Sequence, residues 1–194
     1  SDVYKRQGLQ RPVKLLCLPK EQIVDFTVNH HLNGRDADVE YTVETNGSHN
    51  CIVEVYDKEG IKVAESVGKK GNLHIENVHL WDVHKSYLYH FVIRIMDNEN
   101  VLDEYFEKIG VRVFEIKDGK FLLNGKSVYL KGFGKHEDSD LRGRGLDLVT
   151  IKRDYECMKW IGANCFRTSH YPYAEEVYQI CLLYTSPSPR DRQK

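Results

Sequence analysis

Polar and ionisable side chains concentrate in the last third of the sequence, in two short stretches. The first reads GFGKHEDSDLRGRG over residues 132–145, and the second reads WIGANCFRTSHYPYAEE over residues 160–176. Six of their side chains stand out, two of them histidines, one an arginine and three of them closely spaced acids: His136, Glu137, Asp138, Asp140, Arg167 and His170. Hydrophobic cores rarely contain charged groups unless these are paired. These residues are therefore the candidates for chemistry.

Metal binding and catalysis fit these stretches less well than ligand recognition does. Adjacent residues on an extended chain point to opposite faces, so at most two of residues 136–138 could share an ion, although His170 could supply a third ligand. Paired catalytic carboxylates straddle a bond, usually from different strands, and three acids on one loop do not. Cys165 and Ser169 lie close to a histidine, but a cysteine beside Phe166 in mid-strand is typical of a core.

Recognition of a hydroxyl-rich ligand is the chemistry that remains. Four side chains supply the mixed hydrogen-bond donors and acceptors that such a ligand needs: His136, Asp138, Arg167 and His170. Tyr171 and Tyr173 are available as ring platforms for a sugar. We therefore expect these stretches to form one edge of a sugar-binding site.

The elements around the two stretches indicate a βα repeat. Val128–Phe133 predicts a buried strand, Thr150 is the predicted cap of a helix that ends at Gly162, Asn164–Thr168 predicts the next strand, and Pro172 suits the first turn of a second helix. Such alternation is typical of a parallel sheet with crossover helices, and its chemistry lies in the loops after the strands. Both polar stretches should therefore converge at one edge of the sheet.

The first helix of this repeat is amphipathic. Its predicted apolar face carries Ile151, Tyr155, Met158 and Ile161, and the opposite face is charged. Just before the repeat, Asp118-Gly119 and Asn124-Gly125 favour the primed turns that join antiparallel strands.

The chain before Val111 has an all-β pattern. A short strand is predicted at Arg11–Pro19. Seven alternating runs follow, separated by turn residues: Gln22–Val28, Ala37–Val43, Cys51–Tyr56, Ile61–Val67, Asn72–Ile75, Tyr87–Met96 and Val101–Phe106. This spacing predicts a two-sheet, immunoglobulin-like sandwich. Trp81 is predicted to be a core or inter-domain plug rather than a ligand platform. Six histidines show no metal-like spacing and are expected to be solvated or packed: His30, His31, His74, His79, His84 and His90.

The composition argues against several classes of partner. Lys and Arg number 28 against 29 Asp and Glu, so the net charge is −1, which disfavours nucleic acid and acidic membrane surfaces. No apolar run approaches the roughly 20 residues of a membrane helix. Five widely spaced cysteines without a C-x-x-C pair are typical of reduced, buried thiols in an intracellular protein: Cys17, Cys51, Cys157, Cys165 and Cys181.

The two polar stretches also carry a family resemblance. FLLNGKSVYLKGFGKHEDSDLRGRG and WIGANCFRTSHYPYAEE resemble the start of the catalytic barrel of glycoside hydrolase family 2, and HEDSDLRGRG is similar to the form found in its β-glucuronidases rather than its β-galactosidases. The preceding sandwich fits the family's immunoglobulin-like domain, and residues 8–18 fit the last strand of its N-terminal sugar-binding domain. The resemblance thus implies an immunoglobulin-like sandwich followed by the first βα units of a (β/α)8 TIM barrel.

The resemblance also implies an activity. It implies a retaining hydrolase of β-D-glucuronides, homo-oligomeric as a parent protein, that uses two glutamates and no cofactor or metal. Residues matching His136 and His170 line the sugar pocket, and the arginine matching Arg167 supports it. Both catalytic glutamates belong to later strands, so the chain alone is expected to be inactive. The alternatives are a non-catalytic β-sandwich module, structural or carbohydrate-associated, and a fragment of a β-galactosidase of the same family.

The two ends differ in character from the rest. SDVYKRQ at residues 1–7 and LLYTSPSPRDRQK at residues 182–194 resemble translated sequencing-adapter DNA, the alternative for the second being a natural Pro-rich tail. The expected organisation is therefore an artefactual start, a strand at 8–18, a sandwich at 19–111, the start of a barrel at 112–181 and an artefactual tail.

Overall fold

A computed structural model describes residues 8–83 and 85–184 of the chain. The two adapter-like ends fall outside the described residues, except for residues 182–184. Two compact units are distinguished. Of the described residues, the sandwich unit comprises Cys17–Asp82 and Tyr87–Val128, and the βα unit comprises residues 8–16, 83, 85–86 and 129–184.

Seven strands form the two sheets of the sandwich unit. Their bounds are β1 Ile23–Asn33, β2 Asp36–Thr45, β3 Cys51–Tyr56, β4 Lys62–Val67, β5 Lys70–Ile75, β6 Tyr89–Asp97 and β7 Asn100–Ile109. One sheet has the order β1-β2-β5 and the other β4-β3-β6-β7, with antiparallel neighbours throughout. The predicted immunoglobulin-like sandwich is confirmed.

The alternation of apolar and polar residues builds the core of this sandwich. In β2, Val39, Tyr41 and Val43 are buried while the residues between them face outward. In β6, Phe91, Ile93 and Ile95 are fully buried and belong to the same cluster. Because side chains alternate across a strand, each sheet turns one apolar face inward.

Two tight turns follow the sandwich strands. They join β8 Phe114–Lys117, β9 Lys120–Leu123 and β10 Lys126–Ser127 into a small antiparallel sheet within the sandwich unit. Both residues of each turn, Asp118-Gly119 and Asn124-Gly125, have positive φ angles between 51° and 75°. This is the type I′ geometry that the sequence predicts, and the glycine at its second position adopts it without steric cost.

The prediction that Trp81 is buried is confirmed. Its side chain is fully buried, and the guanidinium of Arg112 lies 4.8 Å from the ring centroid. Its amide donates to the Val111 carbonyl at 2.9 Å, and its own carbonyl accepts from Asn124 Nδ2 at 2.9 Å. The tryptophan therefore ties the end of the sandwich to the second tight turn.

His30 is a packed histidine of the sandwich unit. Within the described residues its Nε2 atom is buried without a hydrogen-bond partner. Burial, helped by the positive charge of Arg112, lowers the pKa of His30 to about 4. The ring is therefore neutral near pH 7. His84, another of the predicted packed or solvated histidines, lies outside the described residues.

The predicted strand at Arg11–Pro19 is wrong. No regular element precedes Ile23 in the described chain, and the apolar side chains of this segment are exposed, with Leu15 fully so. A strand needs a neighbour to satisfy its backbone groups, and within the described residues none pairs with this segment.

The prediction that the cysteine thiols are buried is wrong for two of them. No disulfide joins any of the five cysteines, all of which lie in the described residues, but Cys17 and Cys157 are exposed.

The βα unit contains β11 Gly132–Lys135, α1 Leu148–Trp160, β12 Cys165–Thr168 and α2 Glu175–Tyr184. The two strands pair in parallel, as predicted. Ile151, Tyr155 and Met158 of α1 are buried with Phe166 of β12 in a second apolar cluster. Gly162, at φ 74°, ends α1 as predicted, because it adopts the left-handed conformation of a helix C-terminus.

Neither helix in the described part of the chain has the length and hydrophobicity of a membrane span.

Four local predictions in this unit are corrected. The cap of α1 is Asp147, whose carboxylate accepts the amides of Val149 and Thr150, so Thr150 lies inside the helix. Ile161 lies beyond the last helical turn and is 58% exposed. The strand predicted at residues 128–133 starts at Gly132 and is not buried. Its Phe133 is 47% exposed, because within the described chain β12 is the only strand beside it.

The fourth correction concerns the second helix. Pro172 lies three residues before α2, in the loop after β12. Two contacts hold this loop away from helical geometry: Arg11 Nη2 donates to the Pro172 carbonyl at 2.7 Å, and the Ala174 amide donates to Glu137 at 2.9 Å. At its other end α2 continues to Tyr184, three residues past Cys181.

Candidate functional site

The parallel pairing of β11 and β12 brings the two polar stretches together. The register runs from Gly132 opposite Cys165 to Lys135 opposite Thr168, so the residues that follow leave the sheet at the same edge. The backbones approach so closely that a Cβ atom on Gly132 would lie 1.9 Å from the Cys165 carbonyl oxygen. A glycine is required there, and this close approach aligns the two loops.

His136 and His170 lie side by side at this edge. Their ring centroids are 6.1 Å apart, with an interplanar angle of 71°. Both residues are exposed, so the ring nitrogens can exchange hydrogen bonds with a ligand. His170 has a φ of 65°, a left-handed conformation that is uncommon for a residue with a Cβ atom. The structure thus brings together two of the four predicted binding residues.

Asp138 belongs to the same loop but is already paired. Its Oδ1 atom accepts from Arg144 Nε at 3.2 Å. The guanidinium of Arg144 also lies 5.0 Å from the ring centroid of Tyr171, and that ring is 6.2 Å from the His136 ring. Asp138 is therefore linked to the histidine pair through Arg144 and Tyr171, and its carboxylate is 49% exposed.

Arg167 takes no part in the contacts that link the other three predicted residues within the described chain. It lies on β12 opposite Gly134 and is exposed. Within the described residues its side chain has no hydrogen-bond or ion-pair partner. Its guanidinium therefore remains available to an acidic or hydroxylated group.

The prediction that Tyr173 serves as a ring platform is wrong. It is only 3% exposed, and its ring packs 5.0 Å from Tyr171 and 6.4 Å from Phe166. Burial raises the pKa of Tyr173, and its hydroxyl oxygen accepts the Ser169 amide at 3.4 Å. The tyrosine is part of the core beneath the site. Tyr171 is half-buried, with Arg144 over its ring.

The structure adds a buried ion pair that the sequence did not indicate. Lys135 is 8% exposed, and its Nζ atom lies 2.9 Å from Asp154 Oδ2 on α1. The same ammonium donates to the His136 carbonyl at 3.0 Å. Lys135 therefore fixes the backbone of His136 to the helix behind the sheet. The sequence carries no local signal for this pair, because its members lie on different elements.

Glu137 is the second residue with an unforeseen role. Its side chain is 12% exposed, and its Oε1 atom accepts the Ala174 amide at 2.9 Å. Its own amide donates to the Tyr171 hydroxyl oxygen at 3.1 Å. These contacts join the loop after β11 to the loop after β12. Within residues 8–83 and 85–184, no three His, Cys, Asp or Glu side chains are grouped closely enough to hold a metal ion.

Sequence comparison assigns this arrangement to a family. Residues 16–112 match the model of Glycosyl hydrolases family 2, and residues 114–185 match that of Glycosyl hydrolases family 2, TIM barrel domain. The chain belongs to glycosyl hydrolase family 2. In this family's terms the βα unit is the start of a TIM barrel domain that follows the immunoglobulin-like sandwich.

Individual relatives agree with this assignment. The chain is 41% identical over 193 residues to the β-glucuronidase of Canis lupus familiaris and 39% identical over 181 residues to that of Paenibacillus borealis, covering 94% and 92% of this chain. It is similar to the β-glucuronidase of Ruminococcus gnavus solved in complex with D-glucuronic acid, with a TM-score of 0.90 at 53% identity over 92% of the chain. The chain spans 30% of each of the two sequence relatives and 31% of that solved chain.

Proposed function

We propose that this chain is part of a retaining β-glucuronidase and that it supplies one wall of the glucuronide pocket. The observation that carries the proposal is the pair of exposed rings, His136 and His170, 6.1 Å apart at the carboxyl edge of two parallel strands. Ligands of parallel α/β folds bind at this edge. Relatives at 41% and 53% identity that are named β-glucuronidases support glucuronides as the substrate class.

Each predicted binding residue has a distinct part in this pocket. The two imidazoles exchange hydrogen bonds with sugar hydroxyls through their ring nitrogens. Asp138, oriented by Arg144, accepts from a hydroxyl through the exposed part of its carboxylate. Arg167 contributes a positive charge on the same sheet, suited to acidic groups of the completed site.

The chain itself is proposed to lack catalytic activity. A retaining glycosidase needs an acid/base and a nucleophile with carboxyl groups about 5 Å apart across the scissile bond. Glu137 is engaged by the Ala174 amide and Arg11, and Glu175 accepts from Gln179 in the first turn of α2. These contacts favour a structural part for both carboxylates over attack on a sugar. Both catalytic glutamates are therefore assigned to strands of the barrel that follow β12 in the parent enzyme.

A binding experiment tests the proposed sugar pocket, and a hydrolysis assay tests the proposed lack of catalytic activity. In a titration of the chain with D-glucuronic acid, followed by NMR of the histidine rings, the signals of His136 and His170 should shift while that of His90, exposed on the sandwich, stays constant. D-Glucose serves as the matched ligand without the carboxylate. Unchanged ring signals would contradict the pocket. Aryl β-D-glucuronide should not be hydrolysed, and turnover proportional to chain concentration would contradict the assignment of both glutamates.

A further inference from the structure

The geometry of the histidine pair depends on a strained loop. His170 has a φ of 65°, and a residue with a Cβ atom keeps such a conformation only where its surroundings hold it. The loop from Ser169 to Ala174 is fixed from outside at three points. Tyr171 accepts the Glu137 amide, the Pro172 carbonyl accepts from Arg11, and the Ala174 amide donates to Glu137.

Glu137 supplies two of these three contacts. It directly follows His136, so its backbone and side chain act on the far loop from beside the first ring. Its carboxylate accepts the Ala174 amide through Oε1 and lies 3.6 Å from Arg11 Nη2 through Oε2. A carboxylate that is 12% exposed and occupied at both oxygens serves to hold structure rather than to transfer protons.

Arg11 supplies the third contact from a distant part of the sequence. Its Nη2 atom donates to the Pro172 carbonyl at 2.7 Å and faces the Glu137 carboxylate. The neighbouring Gln10 carbonyl accepts the Leu146 amide at 3.0 Å, which anchors this segment just before α1. One guanidinium thus bridges the loops after both strands, a geometry that its several donors allow.

We propose that Arg11 and Glu137 are positioning residues of the pocket, which together hold the His170 ring against the His136 ring. Neither side chain is needed to touch the sugar. Their part is to keep the loop after β12 in the one conformation that presents both imidazoles to the same ligand. The inference rests on the proposed function only for what the two rings bind. The segment before the sandwich is therefore a component of the site.

The test uses the full chain with substitutions that separate charge from shape. Arg11→Met keeps the aliphatic stem and removes the donors, and Glu137→Ala removes both acceptors. Both should shift the ring signals of His136 and His170 and abolish the nuclear Overhauser effect between the rings. Arg11→Lys, which retains a charged donor, should restore part of the signal. Arg153→Met is the matched control, since that arginine is 71% exposed on α1 and, in the part of the chain that the structure describes, its one polar partner is the adjacent Asp154.

A general loss of stability must be distinguished from a change in position. The signals of the buried Tyr155 ring report whether the βα unit is folded, and only their retention with altered histidine signals supports positioning. Should Glu137→Ala unfold the unit, Glu137→Gln carries the test, because its amide oxygen can still accept the Ala174 amide while the charge facing Arg11 is lost. Wild-type ring signals in folded Arg11→Met and Glu137 variants would overturn the proposal.

The failure of this proposal differs from a failure of the proposed function. If the wild-type chain does not bind D-glucuronic acid, the proposed sugar pocket is contradicted. The ring signals of the variants still decide whether Arg11 and Glu137 position the histidines. If the wild-type chain binds the sugar and the folded variants bind it equally well with unchanged ring signals, the positioning role is wrong and the pocket stands.

Discussion

Removing Asp154 should destabilise the βα unit more than removing its partner Lys135. The Lys135 side chain is 9% exposed and the Asp154 side chain is 28% exposed, with 2.9 Å between Nζ and Oδ2. Asp154→Ala leaves an ammonium in a buried position, where the His136 carbonyl is the one remaining acceptor among the described residues. Lys135→Met instead leaves a partly exposed carboxylate that water and Arg153, at 3.4 Å, can solvate.

The magnitude follows from the burial of the pair. Removing one partner of a fully buried ion pair costs roughly 3–5 kcal/mol, and an exposed pair is worth about 0–1 kcal/mol. This pair lies between the two cases, so we expect about 2 kcal/mol for Asp154→Ala. Lys135→Met should cost about 1 kcal/mol or less, because a chain of similar shape fills the same space.

Amide hydrogen exchange measures this difference within the βα unit alone. A loss of about 2 kcal/mol corresponds to exchange about thirtyfold faster for amides that open with the unit. The amides of β11 and α1 should show this acceleration in Asp154→Ala, and those of β3 and β6 in the sandwich should not. Arg153→Met is the control for loss of a charge on the same helix. Exchange in Lys135→Met as fast as in Asp154→Ala, or a change below about threefold in Asp154→Ala, would refute the reasoning.

Two further predictions concern the start of α1 in the βα unit and a buried histidine in the sandwich unit. Asp147→Ala should accelerate hydrogen exchange of the Val149 and Thr150 amides, because it removes the acceptor that caps α1. Asp147→Ser should preserve the protection of these amides. Equal exchange rates in the two variants would contradict the capping role. In the sandwich, the pKa of His30 is lowered from 6.5 to about 4 by burial, so the unfolded chain binds the proton first as the pH falls. Stability should therefore decline from pH 6.5 to about 4, by about 3 kcal/mol in total. His30→Leu should remove this part of the slope in denaturant titrations, while His90→Leu, at an exposed histidine, should keep it; identical slopes in His30→Leu and wild type would show that the ring titrates normally.

The sandwich was predictable because its determinants are local. Alternation in Val39–Val43 and in Phe91–Ile95 sets which face is buried, and Asn-Gly and Asp-Gly pairs set the tight turns. The parallel pairing of β11 and β12 also followed from the βα pattern. The strand predicted at residues 128–133 was placed too early, because apolar content alone does not show where a pairing partner begins.

The supports of the candidate site could not be predicted, since they join residues distant in sequence. Lys135 meets Asp154 across a strand and a helix, and Arg11 meets Glu137 and Pro172 across the whole sandwich sequence. Nothing in the stretch around Arg11 distinguishes it from a surface arginine. The candidate residues themselves were chosen from their types and spacing, and their binding of a ligand stays a prediction. Their orientation depends on contacts that only the folded chain contains.

The central prediction is that His136 and His170 bind one sugar together. A crystal structure of the chain with D-glucuronic acid is the most direct measurement of this claim. We expect the sugar at the carboxyl edge of β11 and β12, with its hydroxyl groups within hydrogen-bond distance of both imidazoles. A sugar bound only on the sandwich, or crystals soaked at high concentration in which both rings contact solvent alone, would contradict it.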